Sequence, residues 1–583
     1  MQVFGANVSD SVLQFFRGLF AKNESYYYVN QAIEDMCGCK GFFPAEDEFA
    51  SFQDELTMIN GFCCAEERSE YGDFQTNKAL TKAVTEILSA KGIAPEVVIE
   101  PTCGKGNFIL AALDGFPSVK QIIGVEIYEP YVWECKFSIV DYFLNHPNAN
   151  KPSITIFHSN VFGFDFLHLK KQIQDKNLLI LGNPPWVTNS MLGTLESDNL
   201  PNKSNFKKQK GIDAITGKGN FDIAEYIVLL LMKLFEKTDG YLSLLVKNSV
   251  IKNVVYEQSK NRYHISDIEE MNIDSRKEFN VSVDASLLLC RFNSQPSLQC
   301  QVSNFYNGNV LNQFGWVGNS FYSDIQNDKS VGTIDGKCPM EWRQGIKHDC
   351  SSVMELEREG SMFRNKLGET IDLEDNLVYG LLKSSDLKSL VAYKPKKYTI
   401  VTQQNVGQNT DYIIQYPKTY DYLQRHIGLF RSRKSTIYKK NPDFSIFGIG
   451  DYSFKPYKVA ISGLYKTLHF TLVLPDQKPV MLDDTCYFLG FDDLKGAVAV
   501  HALLNSDEVK FFLQSITFSD AKRMITKEVL MRIDFAKVMK TLNGTTLVEQ
   551  ANQVLLSVGS DGKLEETDFT FICRNHNMQL ELF

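Results

Sequence analysis

Residues 96–108 read EVVIEPTCGKGNF, a short apolar strand followed by a turn with two glycines one residue apart. Gly104 and Gly106 permit a sharp turn, and the amides at the start of the following helix can donate hydrogen bonds to a ligand. Twenty residues after Gly106 comes Glu126, whose carboxylate can accept hydrogen bonds from both hydroxyls of a ribose. A third glycine at the dinucleotide spacing is missing, because Ile109 stands there, which argues against NAD or FAD. The stretch predicts a ribose-binding loop at a sheet edge.

The segment around this loop, 96–292, alternates short β-branched runs with longer amphipathic stretches. The predicted strands are 96–100, 121–127, 153–157, 177–181, 241–246, 264–273 and 284–292, and the main predicted helices are 129–144 and 221–235. This alternation predicts an α/β fold, a doubly wound Rossmann-like sheet that is largely parallel and has helices on both faces. The last strands lie close together, so we expect one of them to run antiparallel at an edge.

A second motif, Asn183-Pro184-Pro185-Trp186, follows the fourth predicted strand. In a doubly wound sheet the first and fourth strands are neighbours, and ligands bind at their carboxyl ends. We therefore expect Gly104 and Asn183 to face each other across one cleft. The two prolines fix φ and remove two N–H donors, so the turn presents an amide side chain, carbonyl acceptors and an indole ring. Such a turn suits a planar amine substrate.

The composition limits the class of protein. With 583 residues, 44% of them hydrophobic, and a net charge of −9, the chain is neither disordered nor collagenous nor a disulfide scaffold. It has no apolar run near the ~20 residues that a membrane span needs and no signal-peptide pattern. We expect a cytoplasmic protein with reduced cysteines and no metal site, since Cys37, Cys39, Cys63 and Cys64 lack the usual zinc spacing.

Taken together, the two motifs resemble class I S-adenosylmethionine-dependent amino-methyltransferases that act on DNA. Their order along the chain resembles the gamma class, and parts of 342–523 look like TaqI-like specificity domains. The resemblance implies S-adenosyl-L-methionine as cofactor and transfer of a methyl group to adenine N6 in double-stranded DNA by base flipping. Asn, not Ser, at position 183 resembles the adenine-specific enzymes. The enzyme would be a site-specific DNA methyltransferase that protects prokaryotic host DNA in a restriction–modification system.

The resemblance also implies roles for individual residues. The expected cofactor-binding residues are Phe74, Gln75, Thr76, Glu100, Pro101, Thr102, Cys103, Gly104, Gly106, Asn107, Phe108, Glu126, Ile127, Asn160, Val161, Phe162 and Asn183. Asn160 stands where the family has an acidic residue. The expected catalytic residues are Asn183, Pro184, Pro185, Trp186 and Phe279, with Trp186 and Phe279 stacking on the extruded base.

DNA contacts are expected from a lysine-rich segment after the second motif and from the basic stretch RSRKSTIYKK (431–440). The expected contacts are Lys203, Lys207, Lys208, Lys210, Arg343, Lys347, Arg431, Arg433, Lys434, Lys455, Lys458, Lys466 and Arg523. We expect a helical extension over 1–70, a catalytic domain over 71–295 and a mixed α+β target-recognition domain over 296–583.

The expected partners are double-stranded DNA, bound by a monomer, and a separately encoded cognate restriction endonuclease. Two other readings stay open. The chain could methylate RNA or a protein amide, because similar turns serve those substrates, or it could be a non-catalytic DNA specificity subunit.

Overall fold

The computed structural model describes residues 2–22, 25–58, 75–187, 222–325, 334–392, 394–518 and 523–569. The chain divides into two compact units, Met1–Phe321 and Tyr322–Phe583. Within the described ranges, no helix is long and apolar enough to cross a membrane.

The first unit begins with a short hairpin and helices and continues with alternating strands and helices. Its elements are β1 (Gln2–Val3), β2 (Ala6–Asn7), α1 (Asp10–Phe20), α2 (Tyr26–Cys37), α3 (Glu46–Met58), α4 (Lys78–Ala90), β3 (Val97–Glu100), α5 (Asn107–Gly115), β4 (Gln121–Glu126), α6 (Glu129–Asn145), β5 (Ser153–His158), α7 (Phe166–Gln172), β6 (Leu178–Gly182), α8 (Ile223–Phe235), β7 (Gly240–Lys247), α9 (Asn248–Asn261), β8 (Ile265–Ile273), α10 (Ser275–Phe279), β9 (Ala285–Phe292), β10 (Gln299–Asn304), β11 (Val310–Val317) and β12 (Ser320–Tyr322). The seven strands predicted between 96 and 292 are all confirmed, to within about a residue at each end.

A mixed ten-stranded sheet forms the centre of this unit, in the order β12-β11-β10-β8-β9-β7-β6-β3-β4-β5. The strands β5, β4, β3, β6 and β7 are parallel, and Val97 lies opposite Leu178 where β3 pairs with β6. The predicted adjacency of the first and fourth strands is therefore confirmed. Among the strands predicted from the sequence, the antiparallel one is β9, and it lies between β7 and β8, inside the sheet. The edge position predicted for it is wrong, because β8 and β10–β12 extend the sheet beyond it.

The N-terminal helices pack on α6 through aromatic side chains. Phe16 contacts Phe42 and Phe52, and Phe52 in turn contacts Trp133 of α6. All four rings are buried, and burying one such side chain contributes roughly 1.5–3 kcal/mol. Because the opposite face of α6 turns toward the glycine loop, as described below, this packing fixes a helix that the site depends on.

The second unit consists of short strands followed by a set of helices. Its elements are β13 (Arg343–Gln344), α11 (Ser351–Met354), β14 (Glu355–Glu359), β15 (Met362–Asn365), β16 (Thr370–Ile371), β17 (Val378–Leu382), β18 (Val391–Ala392), β19 (Lys397–Ile400), α12 (Pro417–Arg425), α13 (Ile427–Arg431), β20 (Tyr457–Ser462), β21 (Thr471–Val473), β22 (Met481–Leu482), β23 (Cys486–Phe491), α14 (Leu494–Leu504), α15 (Asp507–Ile516), α16 (Lys527–Leu530), α17 (Phe535–Thr541) and α18 (Gly544–Ser557).

Two sheets organise the second unit: a five-stranded sheet ordered β13-β23-β20-β21-β18 and a six-stranded sheet ordered β16-β15-β14-β19-β17-β22. One hydrophobic core includes Val353, Phe363 and Tyr422, and a smaller one includes Ala460 and Phe488. The boundary of this unit differs from the predicted domain start at 296. Strands β10 and β11 continue the large sheet of the first unit, so the compact division falls after Phe321.

Candidate functional site

The glycine loop between β3 and α5 has the backbone geometry that its sequence predicts. Gly104 and Gly106 have φ of +50° and +84°, a region that side-chain-bearing residues rarely adopt. A Cβ on Gly104 would lie 2.8 Å from the Gln75 Oε1 atom, and one on Gly106 would lie 2.5 Å from the Cys135 Sγ atom of α6. Both positions need glycine, because their φ angles are positive and because the side chains of Gln75 and Cys135 leave no room for a Cβ atom.

Glu126, the last residue of β4, holds the glycine loop in place. Its Oε2 atom accepts a hydrogen bond from the Gly104 amide and its Oε1 atom accepts one from the Tyr128 amide, both at 2.8 Å. The side chain is 8% exposed. Each carboxylate oxygen has a second lone pair, so the group can still accept hydrogen bonds from a ligand while the two amides fix its orientation.

A cleft opens at the carboxyl ends of β3, β4 and β6. Its lining residues are Gln75, Thr76, Glu100, Pro101, Thr102, Cys103, Gly104, Asn107, Phe108, Val125, Glu126, Ile127, Tyr128, Tyr131, Ser159, Val161, Asn183, Pro184 and Pro185. The expectation that Gly104 and Asn183 share one cleft is therefore confirmed. Four further lining residues were not predicted from the sequence: Val125, Tyr128, Tyr131 and Ser159. The two tyrosines flank the start of α6, three residues apart and directly after Glu126, a spacing that could have identified them.

Three of the expected cofactor residues that the structure describes do not line this cleft: Gly106, Asn160 and Phe162. Gly106 lies behind the loop against Cys135. Asn160 instead accepts a hydrogen bond from the Phe162 amide at 2.9 Å, and the Phe162 ring packs edge-on against Tyr226. Phe74 lies outside the described residues.

Asn183 is fixed at both its backbone and its side chain. Its carbonyl oxygen accepts a hydrogen bond from the Thr102 hydroxyl at 3.4 Å, which connects the second motif to the glycine loop. Its side-chain Nδ2 donates to the Thr76 hydroxyl oxygen at 3.2 Å. The amide therefore stands in the cleft between two neighbouring loops, with Pro184 and Pro185 lining the wall beside it.

The two aromatic rings expected to hold a base pack against each other. The ring centroids of Trp186 and Phe279 are 4.9 Å apart with an interplanar angle of 67°, an edge-to-face contact. Trp186 is 5% exposed and its indole N–H donates to the Leu245 carbonyl oxygen. Neither ring lines the cleft, so in this structure no base can lie between them.

Lys247 fixes the position of the turn from behind. Its Nζ atom donates to the Trp186 carbonyl oxygen at 2.8 Å and pairs with Asp222 Oδ2 at 2.6 Å. Asp222 caps the start of α8, since its Oδ1 accepts a hydrogen bond from the Ala224 amide. This lysine thus joins the end of β7, the second motif and α8. We did not identify its role from the sequence.

Glu100 is a buried carboxyl in the wall of the cleft. It is 3% exposed, and its Oε2 atom has no hydrogen-bond partner among the residues that the structure describes. Burial raises the pKa of Glu100 well above its ordinary value, and the neighbouring Cys135 thiol and Glu126 carboxylate act in the same direction.

The residues expected to contact DNA in the second unit fall into three groups. Five form ion pairs within the protein: Arg343 with Glu341, Lys347 with Asp349, Arg431 with Asp443, Lys455 with Asp492, and Arg523 with Asp484. Lys434 and Lys466 are exposed, and no ion pair involves them among the described residues. The remaining expected DNA contacts precede the second unit and lie outside the described residues; they are Lys203, Lys207, Lys208 and Lys210.

The third group consists of Arg433 and Lys458, for which the predicted DNA contact is wrong. Arg433 is 8% exposed and donates hydrogen bonds to the carbonyl oxygens of Phe430, His348, Ser445 and Asp443. Lys458 is 1% exposed, its Nζ donates to the Lys455 carbonyl oxygen, and burial lowers its pKa to about 7. Side chains this deeply buried stabilise the fold and do not reach a phosphate group.

Comparison with known proteins gives one informative sequence relative. No family model matches the chain. The type II methyltransferase M.NspV of Nostoc sp. (strain ATCC 29411 / PCC 7524) is 39% identical over 477 residues, which cover 81% of this chain and 98% of the relative.

Among solved structures, the type IIL restriction–modification enzyme MmeI in complex with DNA matches with a TM-score of 0.48 and 12% identity, over 96% of this chain and 79% of that chain. The DrdV–DNA complex matches with a TM-score of 0.44 and 11% identity, over 84% of this chain and 62% of that chain.

Proposed function

Because this chain belongs to the family of type II methyltransferases, we propose that it methylates adenine N6 at a specific site in double-stranded DNA. The observation that carries the proposal is the shared cleft, in which the Glu126-anchored glycine loop and Asn183 meet. A ribose-binding loop and an amine-binding turn are the two halves that such a reaction needs. The proposed methyl donor is S-adenosyl-L-methionine.

The residues in the cleft fit this cofactor. Glu126 offers carboxylate lone pairs to the ribose hydroxyls, and the apolar side chains of Ile127 and Val161 suit the adenine ring. Glu100 fits the charged methionine end, because none of the described residues hydrogen-bonds its buried Oε2 atom and a cationic ligand would satisfy it. When bound, the cofactor supplies an electrophilic methyl group on a sulfonium ion.

Asn183 and Pro184 prepare the acceptor. An aromatic exocyclic amine is a poor nucleophile, because its lone pair is delocalised into the ring. If the Asn183 side-chain oxygen and the Pro184 carbonyl oxygen each accept one N–H, the nitrogen becomes pyramidal and its lone pair is free to attack. The same oriented dipoles stabilise the positive charge that develops on the nitrogen during transfer.

A base inside a duplex cannot enter this cleft, so the proposal includes extrusion of the target nucleotide. Phe279 is half-buried and sits at the end of a short helix, and its ring is proposed to leave Trp186 and stack on the base. Base–aromatic stacking is worth about 1–3 kcal/mol, comparable with the edge-to-face contact that it would replace.

The second unit is proposed to bind the DNA backbone through the stretch 431–440. Lys434, Lys439 and Lys440 are exposed there, and none is ion-paired within the part of the chain that the structure describes. Unpaired cations on a chain of net charge −9 form a local anion-binding surface. We further propose that a separately encoded restriction endonuclease is the biological partner.

Radiolabel transfer tests the proposed reaction. The purified chain is incubated with tritiated cofactor and duplex DNA, tRNA or protein extract, and label is expected in DNA alone. Asn183→Ala should lower transfer at least about 100-fold while binding of S-adenosylhomocysteine persists in calorimetry. Asn177→Ala is the matched control, because Asn177 precedes the opposite end of β6 and its side chain binds the Ala94 carbonyl.

The same experiment separates the other readings. Label in tRNA or in protein would identify that molecule, instead of DNA, as the substrate. Absence of cofactor binding would indicate a non-catalytic subunit. Normal turnover of Asn183→Ala would contradict the mechanism. Single-molecule sequencing of DNA from expressing cells then identifies the modified base and its sequence context.

Electrophoretic binding titrations test the DNA surface. Lys434→Gln and Lys440→Gln are each expected to reduce the slope of log K against log salt by about 1. Lys418→Gln is the control, because Lys418 is ion-paired with Asp372 at the surface of the same unit. An unchanged slope in the first two variants would remove the 431–440 stretch from the interface.

A further inference from the structure

Three consecutive residues, Gln75-Thr76-Asn77, each contact a different part of the site. Gln75 Oε1 accepts a hydrogen bond from the Lys105 amide in the glycine loop, at 3.3 Å. Asn77 Nδ2 donates to Glu278 of α10 at 3.0 Å, next to Phe279. Between them, Thr76 contacts Asn183. This short segment therefore connects the proposed donor loop, the acceptor turn and the helix that carries the stacking ring.

Thr76 itself makes two contacts of different kinds. Its hydroxyl oxygen accepts the Asn183 Nδ2–H at 3.2 Å, and its carbonyl oxygen accepts the Asn107 Nδ2–H at 2.8 Å. The residue is 6% exposed, so the hydroxyl lies in a largely desolvated wall of the cleft. In such a place a hydrogen bond is directional and water competes little for either partner.

The direction of that bond determines what Asn183 offers to a substrate. An amide side chain has a donor end and an acceptor end, and rotation by 180° exchanges them. With Nδ2 held by Thr76, the Oδ1 atom occupies the other end of the amide. An exocyclic amine brings two N–H donors, so it needs an acceptor, and an NH₂ group in the same place would oppose it.

We propose that Thr76 is a positioning residue that keeps the Asn183 amide in the orientation able to accept an N–H of the target base. This inference rests on the proposed function and adds a residue that acts through Asn183. Its backbone carbonyl, through Asn107, ties the same residue to the first turn of α5. The orientation of the amide is thereby set relative to the glycine loop that is proposed to hold the methyl donor.

The test compares two variants of the full chain, the isosteric Thr76→Val and the smaller Thr76→Ser. Valine removes the hydroxyl and keeps the shape, whereas serine keeps the hydroxyl. Single-turnover methyl transfer to duplex DNA is measured at saturating cofactor and DNA, and binding of S-adenosylhomocysteine is measured by calorimetry. Thr76→Val should slow transfer about 5- to 10-fold, which corresponds to one neutral hydrogen bond. Thr76→Ser should recover most of the transfer rate that Thr76→Val loses, and in both variants the change in affinity for the ligand should be smaller than the change in the saturated transfer rate of Thr76→Val.

Several outcomes would overturn the inference. An unchanged transfer rate in Thr76→Val, or an equal loss in both variants, would show that the hydroxyl does not orient Asn183. Weaker ligand binding with an unchanged saturated rate would place Thr76 with the cofactor alone. Failure of the unmodified chain to methylate DNA is a different result, because it refutes the proposed function before either variant is compared.

Discussion

The two glutamates at the ends of one strand should respond to pH with opposite signs. Glu100 ends β3 inside the cleft wall, where burial raises its pKa well above the ordinary value. Glu96 precedes the same strand, and its hydrogen bond from Lys120 lowers its pKa. Replacing Glu100 by the isosteric glutamine removes the titration and little else. The difference in unfolding free energy between the variant and the unmodified chain should therefore depend on pH.

The sign follows from proton linkage. A carboxyl whose pKa is raised on folding contributes its full stability below the unfolded pKa of about 4.3, and that contribution is lost as pH rises toward the folded pKa. Above about pH 4.3, the free energy of unfolding of the unmodified chain should fall by about 1.4 kcal/mol per pH unit relative to that of Glu100→Gln. The fall should continue until Glu100 ionises in the folded state. Below it, the two curves should run parallel, separated by a constant offset from the new amide.

Urea unfolding between pH 4 and 8, followed by tryptophan fluorescence, measures this difference. Of the four tryptophans, Trp342 alone lies in the second unit, so both proteins carry Trp342→Phe to report the first unit. Glu96→Gln is the control, because the pKa of Glu96 is lowered on folding, so its contribution to stability changes only below the unfolded pKa of about 4.3 and the difference from the unmodified chain should stay nearly constant above it. A pH-independent difference between Glu100→Gln and the unmodified chain would refute a raised pKa of Glu100 in the folded protein.

Three further substitutions test other parts of the structure. Glu126→Gln keeps one acceptor oxygen but loses the negative charge. Calorimetry should therefore show that S-adenosylhomocysteine binds about 10- to 100-fold more weakly, which is the range for a charged hydrogen bond. An unchanged affinity would contradict the proposed contact of Glu126 with the ribose. Gly106→Ala brings a Cβ within 2.5 Å of Cys135 Sγ at a φ of +84° and should lower the unfolding free energy by about 1–3 kcal/mol. Gly92→Ala, at φ +80° in open space, is its control and should cost less. Arg433→Met leaves the carbonyls of His348, Ser445 and Asp443 without this donor and should lower the melting temperature of the second unit, whereas the salt dependence of DNA binding should not change. A changed salt slope with an intact melting temperature would instead support a contact between Arg433 and DNA.

Local patterns predicted most of the first unit. The strands β3 to β9 follow from short runs rich in apolar residues, and the left-handed turn follows from Gly104 and Gly106. The shared cleft was predictable for the same reason, because parallel strands end at one edge and two motifs follow neighbouring strands. The continuation of the sheet through β10 and β11 was not, since pairing of strands distant in sequence leaves no signal in local periodicity.

Charge patterns were a poorer guide than hydrophobic patterns. Arg433 and Lys434 are neighbours in the sequence, yet one is buried against backbone carbonyls and the other is exposed. Whether each side chain points into the core or into solvent depends on how the loop folds. A cationic side chain can donate its hydrogen bonds to backbone carbonyl oxygens as well as to phosphate oxygens. Trp186 and Phe279 illustrate the same limit, because two rings suited to holding a base are equally suited to packing on each other.

The sequence by itself determined the two loops and the strands that carry them, because backbone geometry and side-chain alternation are encoded over a few residues. Only the tertiary structure decided what surrounds those loops. It places Gln75 against Gly104 and Thr76 against the Asn183 amide, and it buries Glu100 so that its pKa is raised. The physical reason is that hydrogen-bond direction and the pKa of a buried group depend on neighbours that approach through space. Those neighbours are set by the packing of the whole unit and not by the residues on either side in the chain.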